Sequence, residues 1–295
     1  SLSTGKEVKK SLKRLKIPYE FMEVNPISFE KEISKYDNEY LCFNALHGTF
    51  GEDGKIQKIL DKLSFKYTHA GVEASAMCFN KDLTKKILKD TPIKTPEFLT
   101  ANKNQINEDF LFDIYKTFGP FIVKPISSGS SFGIKVFKNK KQIENFLYNF
   151  NQNIKLYANH DKLLIEKFIQ GRELTVGVIE KNNESTPMEV TEIIANKDFF
   201  DYESKYTKGY SKHILPAKII GIDYKSCKNF AKIAHDKTNC RGVSRTDFIY
   251  DDKDLYFLEI NSQPGLTPIS LVPEQAVYKK ILYDELIMGI INCAL

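Results

Sequence analysis

Arginine is scarce in this chain of 295 residues: Arg14, Arg172, Arg241 and Arg245 are its only examples, so nearly all of the 43 basic side chains are lysines. Lysines suit solvated faces and point-charge contacts to phosphate, whereas a buried arginine would stand out. No block of one charge sign exists either, since 38 acidic residues are scattered among the basic ones and the net charge is +5. That distribution, with no basic patch of interleaved aromatics outside residues 196–213, argues against a nucleic-acid partner. No apolar stretch approaches the roughly 20 residues that span a bilayer, and the polar start SLSTGKEVKK is not a secretory signal, so no membrane partner and a cytoplasmic location are expected. The five cysteines, Cys42, Cys78, Cys227, Cys240 and Cys293, form no C-x-x-C pair and sit in apolar runs, as reduced core thiols do. Internal repeats and low-complexity tracts are also lacking. What is present, 42% hydrophobic and 12% aromatic residues, is enough for a buried core divided over two or three domains.

The first segment predicts a parallel α/β half-domain. Val8, Leu12 and Leu15 share a helical face, YEFMEV (19–24) and EYLCFNAL (39–46) read as strands, and Ile56, Ile59, Leu60 and Leu63 stripe another helix. The chain opens directly into a helix, with Ser3 or Thr4 as N-cap, so a leading strand and turn are expected upstream of Ser1. A helix over 75–89 and the prolines of TPIKTPEF mark the start of a second module, with strands at PFIVKP and IKVF around the loop SSGSSFG and a helix over 141–150. A strand-rich third stretch follows, LLIEKFI, ELTVGVIE and MEVTEII. Its loop over 196–213 is long enough to read as an active-site cover. A helix over 224–238 then leads to VSRTDFIY, the turn DDKD, LYFLEIN and a closing helix. The expected boundaries are 1–78, 79–162 and 163–295.

The hairpin carries the strongest chemical signal. Side chains alternate along a strand, so Arg245 and Asp247 share one face, as do Glu259 and Asn261 on the partner. If Asp247 pairs with Glu259, all four point the same way; a one-residue slip would part them. Two carboxylates and a carboxamide oxygen are the hard ligands magnesium takes, and an arginine beside them can clamp an anion. Lys124 ends an apolar strand before a Ser/Gly loop whose N–H groups can converge on phosphate, although such loops are more often plain turns. In LLIEKFIQGRELTVGVI two readings are balanced: a hinge offering backbone groups to an adenine edge with Glu173 reaching a ribose, or an edge strand with solvated charges. His47, in a glycine-rich turn between strand and helix, stands where open parallel sheets bind ligands; His69, His160, His213 and His235 read as background. In FFDYESKYTKGY, aromatics alternate with lysines and acids, as in a segment that closes over a charged substrate.

HGTFGEDG, KPISSGSSFG, LLIEKFIQGRE, DYESKY, SRTDF, LEINSQPGLT and SLVP together resemble the motifs of the D-alanine–D-alanine ligase family, in its order and spacing and over nearly the whole chain. The resemblance implies a three-domain ATP-grasp fold with ATP held between the second and third domains. It implies nucleotide contacts at Lys81, Lys124, Glu166, Phe168, Ile169, Glu173 and Lys205, and two Mg²⁺ ions, or Mn²⁺, on Asp247, Glu259 and Asn261. It further implies amino-acid or acyl-phosphate contacts at His47, Arg245, Gly265, Ser270 and Leu271, and a hydrogen-bonded Ser130–Tyr206 pair that closes the flap. Tyr206 favours dipeptide over depsipeptide formation. A Gly-rich turn and a glutamate that binds the first ammonium are implied upstream of Ser1. The activity implied is ligation of two D-alanines through a D-alanyl phosphate for peptidoglycan synthesis, by a homodimer. The rivals are another ATP-grasp carboxylate–amine ligase and a nucleotide-binding sensor without catalysis.

Overall fold

The computed structural model of the chain describes residues 1–129, 133–182, 184–195 and 211–295. Its first segment runs α1 (Leu2–Arg14), α2 (Phe29–Ile33), β1 (Leu41–Cys42), α3 (Lys55–Lys62), β2 (Lys66–Tyr67) and α4 (Val72–Phe79). β1 and β2 pair in parallel, with Ile56 and Leu60 of the α3 crossover packed against Phe29, Phe65 and Tyr67. The strand expected over 19–24 is not formed and that over 39–46 shrinks to Leu41–Cys42. Strand character needs a ladder partner, and β1 and β2 find a ladder only with each other among the described residues.

The helix expected over 75–89 is two helices, α4 and α5 (Lys81–Ile87), parted at Asn80, whose extended backbone (φ −99°, ψ 102°) stops one while its side chain accepts from Leu83 N to start the next. This break turns Lys81 and Lys85 toward the cleft described below. The second sheet follows, from β3 (Phe98–Asn102), α6 (Glu108–Phe118), β4 (Phe121–Pro125), β5 (Lys135–Phe137), α7 (Lys140–Tyr148), α8 (Phe150–Asn153) and β6 (Lys162–Lys167). α6 is well signalled: Asn107 caps it through Phe110 N, Glu108 and Asp109 occupy its first turn, and it ends at Gly119 with φ +70°. The strand order is β3-β6-β4-β5, and Leu111, Ile114, Ile143 and Phe146 of α6 and α7 bury against Phe121, Phe137, Leu163 and Ile165. β6 begins at the boundary expected near 162 and joins this second sheet.

The third sheet, in the order β11-β10-β7-β8-β9, is antiparallel throughout. It comprises β7 (Arg172–Lys181), β8 (Glu184–Ala195), β9 (Ser211–Ile214), β10 (Val243–Tyr250) and β11 (Leu255–Asn261), with helices α9 (Gly221–Lys237), α10 (Leu271–Tyr278) and α11 (Tyr283–Asn292). Cys227, Ala231 and Ala234 of α9 cover Leu174, Val176, Val190 and Phe248. α10 is keyed into the sheet by Gln275, which is fully buried: its Oε1 accepts from Gly177 N at 2.7 Å and its Nε2 donates to Thr191 Oγ1 at 2.9 Å. The β7–β8 register slips at that point, between Val176 and Val178, because Pro187 opposite has no N–H to donate and Gln275 takes the Gly177 amide. A Cβ at Gly177 would stand 2.9 Å from Gln275 Oε1, so any larger residue would have to displace the Gln275 amide.

Polar contacts bind the first segment to the part of the chain built around the third sheet. Arg241 donates to the Tyr67 and His69 carbonyls at 2.6 and 2.8 Å, Arg14 forks onto Asp284, and Asn44 Nδ2 donates to Gln263 Oε1 at 2.9 Å. All five cysteines are free thiols; Cys78, Cys227 and Cys240 are buried. No helix among the described residues is long and apolar enough to cross a membrane.

Candidate active site

The β10–β11 hairpin adopts the register in which Asp247 faces Glu259 and Arg245 faces Asn261, so all four side chains share one face. The row continues across the sheet through Thr175 to Thr191. Arg245 Nε and Nη2 donate to Asp247 Oδ1 and Oδ2, each at 2.9 Å, and Thr175 Oγ1 donates to Oδ1 at 2.6 Å. Asp247 is 3% exposed, so these bonds replace its water. Glu259 Oε2 lies 3.1 Å from Lys81 Nζ, which also donates to the Ser128 carbonyl at 2.8 Å. Asn261 Oδ1 accepts from Gln263 N at 2.8 Å, an Asx turn that swings the chain out of β11 into SQPGLT. Gln263 then grips Asn44 and the Leu46 carbonyl, and Gly265 is drawn so close to Ser270 that a Cβ would stand 2.9 Å from its Oγ. Ser270, the N-cap position of α10, holds the turn through Thr267 N at 3.1 Å and Thr267 Oγ1 at 2.8 Å.

Behind Lys81 lies a charge cluster. Glu166, 1% exposed, receives both Lys124 and Lys85, the latter at 2.7 Å. Burial works to raise the Glu166 carboxyl, but the two ammonium charges outweigh it and hold the group down at about 2. Lys85 is itself pushed below the usual lysine range by burial, against the pull of Glu166. Its ammonium also lies over the Phe98 and Phe257 rings, 5.4 and 5.9 Å from their centroids. β6 is flanked by β3 and β4, which removes the reading of Glu166 as a solvated charge on an edge strand.

Two cavities meet at this arrangement. One, of about 90 Å³, is bounded by Lys124, Glu166, Phe168, Ile169 and Glu173, with Ile122 and Leu258 as apolar walls. The other, of about 100 Å³, has Arg245, Asn261, Gly265, Ser270 and Leu271 in its wall. Lys81, Ser128, Asp247 and Glu259 line both, forming the partition. The second cavity opens past Gly129, Gly265 and Ser270 into a basin of about 1250 Å³ that includes His47 and the α1 lysines Lys6, Lys9 and Lys13. His47 is fixed on both sides, Nδ1 to Glu52 Oε1 at 3.3 Å and Nε2 to Thr4 Oγ1 at 2.9 Å.

The structure thus gathers Lys81, Lys124, Glu166, Phe168, Ile169 and Glu173 around the first cavity and Arg245, Asn261, Gly265, Ser270 and Leu271 around the second. It sets Asp247 and Glu259 between them and His47 at the rim. Ser130, Lys205 and Tyr206 lie outside the described residues. Sequence reasoning missed Lys85, although its i+4 spacing from Lys81 puts both on one helical face. Thr175, Gln275 and Glu52 were missed as well, because only the folded register shows what they touch. His213, read as background, lines the second cavity, with Nδ1 2.7 Å from Glu274 Oε2.

Asp247, Glu259 and Asn261 provide two carboxylates and a carboxamide oxygen facing the partition, a donor set suited to magnesium. Among the described residues no three His, Cys, Asp or Glu side chains cluster as a metal site, so any such site uses the carboxamide or groups from a bound substrate.

Residues 87–292 match the family model described as D-ala D-ala ligase C-terminus. The chain is 39% identical over 260 residues to the D-alanine–D-alanine ligase of Rhizobium meliloti, covering 86% of this chain and 80% of that one. Over its full length it is 37% identical to the Pelagibacter ubique ligase of that name, covering 93% of it. The fold is also that of the Bacillus anthracis D-alanine–D-alanine ligase crystallised with ATP, at a TM-score of 0.79 and 24% identity, over 99% of this chain and 91% of that one. With its fold and its sequence agreeing, the chain belongs to the D-alanine–D-alanine ligase family.

Proposed function

We propose that this chain joins two D-alanine molecules into D-alanyl-D-alanine at the expense of ATP, supplying a precursor for peptidoglycan. The supporting observation is the pair of cavities that share Lys81, Ser128, Asp247 and Glu259 as a partition. One side suits a nucleotide, with apolar walls for a base and Glu173 for a ribose. The other suits small zwitterions, with Arg245 and the Gly265–Ser270 turn.

A carboxylate does not react with an amine because its leaving group would be oxide. Transfer of the γ-phosphoryl of ATP to the first D-alanine gives D-alanyl phosphate and ADP, and phosphate then leaves readily. Lys81 and Lys124 offset charge as two anions approach. Asp247, Glu259 and Asn261 would hold magnesium, which when bound neutralises phosphate charge. The second D-alanine's amine attacks the acyl carbon, and Arg245 with the Gly265 N–H stabilises the oxyanion, an effect of about 3 kcal/mol per donor. Ser130, Lys205 and Tyr206 complete the reading, Lys205 on the nucleotide and the other two as the pair that closes over the substrates. His47, Ser270 and Leu271 hold the amino acids. The working form is taken to be a cytoplasmic homodimer, and the chain to divide into three units with the second ending after β6.

The test supplies D-alanine as the sole amino acid with ATP and magnesium and measures phosphate and dipeptide together. Equimolar release of both is expected. Turnover only with a different amine or carboxylate would replace the substrate, and ATP binding without ADP formation would mark a sensor.

A further inference from the structure

The amine that attacks the acyl phosphate must first lose a proton, because an α-ammonium group is largely protonated at neutral pH and has no lone pair. Resting on the ligase reading above, we infer that His213 is the base that accepts this proton and that Glu274 is the residue that positions it.

The sheet register brings His213 to the reaction face. His213 pairs with Ile193, Ile193 with Glu173, and Glu173 with Ile249, the row beside Asp247, Thr175 and Thr191. The imidazole lines the same cavity as Arg245, Gly265 and Ser270. A carboxylate can only accept, so the 2.7 Å contact to Glu274 Oε2 places the proton on Nδ1 and the lone pair of the neutral ring on Nε2. No hydrogen bond engages Nε2 among the described residues. The same carboxylate fixes the orientation of the ring, the arrangement by which an acid orients a histidine base.

The cavity's other titratable groups among the described residues are committed. Lys81 and Arg245 are cations; Asp247 carries Arg245 and Thr175, Glu259 carries Lys81, and Glu52 carries His47. The Cys78 thiol lies 3.6 Å from the Cys240 sulfur. His47 sits at the basin with both nitrogens engaged. Of the strands beside His213, β8 presents Ile193 on this face, while Glu192 pairs with Arg172. Among the described residues, the charges facing the ring are thus Glu274 from α10 and, across the cavity, Arg245, Asp247, Lys81, Glu52 and Glu259. Histidine is also the side chain whose ordinary titration falls near neutrality.

The step balances. One N–H proton of the ammonium passes to His213 Nε2, the freed lone pair forms the C–N bond at the acyl carbon, and the C–O bond breaks with its electrons going to phosphate. The second amine proton is lost to solvent or to the departing phosphate, and the imidazolium returns its proton to water.

Hydroxylamine separates the two halves of the reaction, since it is unprotonated at neutral pH and captures an acyl phosphate as a hydroxamate without a base. In His213→Asn, which keeps a donor toward Glu274, dipeptide formation at pH 7 should fall by about 100-fold or more. Hydroxamate formation from D-alanine and ATP should stay within about twofold, and the dipeptide deficit should shrink as pH rises and solution deprotonates the amine. Glu274→Gln should give a smaller loss with the same pH trend. Undiminished dipeptide formation, or hydroxamate falling in parallel with dipeptide, would overturn the assignment. Absence of hydroxamate with the unsubstituted protein would refute the ligase reading, and this inference with it.

Discussion

Each arginine in the chain makes a two-point clamp. Arg14 forks onto Asp284, Arg172 onto Glu192, Arg245 onto Asp247, and Arg241 onto two carbonyls. Planar guanidinium is reserved for fixed geometry and lysine for point charge, and the Lys85–Glu166–Lys124 cluster shows the second use. Replacing Glu166 by Gln leaves two ammonium groups buried without their counter-charge, and we expect a loss of about 3–5 kcal/mol at neutral pH, read by urea unfolding. The sign of its pH dependence follows from the depressed carboxyl. The charged form's contribution is complete above the ordinary glutamate value of 4.5 and is lost as pH falls toward about 2. The gap between the unsubstituted protein and Glu166→Gln should therefore narrow across that window; a constant gap would show that the carboxylate's charge is not the source. Much of the site was legible at this scale, because carboxylates and an arginine inside apolar strands are costly unless used. Lys85 and His213 were not legible, because a lysine on a helix and a histidine after a long loop are unremarkable until their partners are known.

At the scale of elements, helices with clear caps and the β10–β11 hairpin were readable from pattern. The failures have local causes. Asn80 splits the helix expected over 75–89 because its side chain offers the following turn a better cap than the helix offers its backbone. Residues 19–24 have strand composition but no ladder. The β7–β8 slip was hidden because it depends on Gln275, nearly a hundred residues away. Gln275→Leu should thus leave the Gly177 amide unsatisfied in the core and lower stability by about 1–3 kcal/mol. Hydrogen exchange at Gly177 should quicken beyond what global destabilisation accounts for. Unchanged protection there would mean that β8 or water takes over the amide.

Over the whole molecule, the three segments contribute unequally to the two cavities. Every described residue around the cavity proposed for the nucleotide comes from Lys81 onward, whereas the second cavity takes Glu52, Cys78 and Phe79 from the first segment and the basin takes residues between Ser1 and Thr49. On the proposed reading, the amino-acid side therefore depends on how the first segment seats against the third sheet, and the nucleotide side does not. Asn44 is central to that seating: it is 5% exposed, and its amide nitrogen donates to Gly51 O at 3.0 Å and to Gln263 Oε1 at 2.9 Å. Its carbonyl oxygen accepts from Leu46 N at 3.1 Å. These bonds tie the turn bearing His47 to the turn bearing Gly265. Removing them in Asn44→Ala forfeits about 1–3 kcal/mol of buried polar contact. If the loss falls on the seating of the two turns, KM for D-alanine should rise by about tenfold, while ATP affinity stays close to that of the unsubstituted protein. Steady-state kinetics with each substrate varied in turn, beside calorimetric ATP binding, separate the two. A parallel weakening of ATP would show that the nucleotide cavity also relies on the first segment, against the division its lining describes.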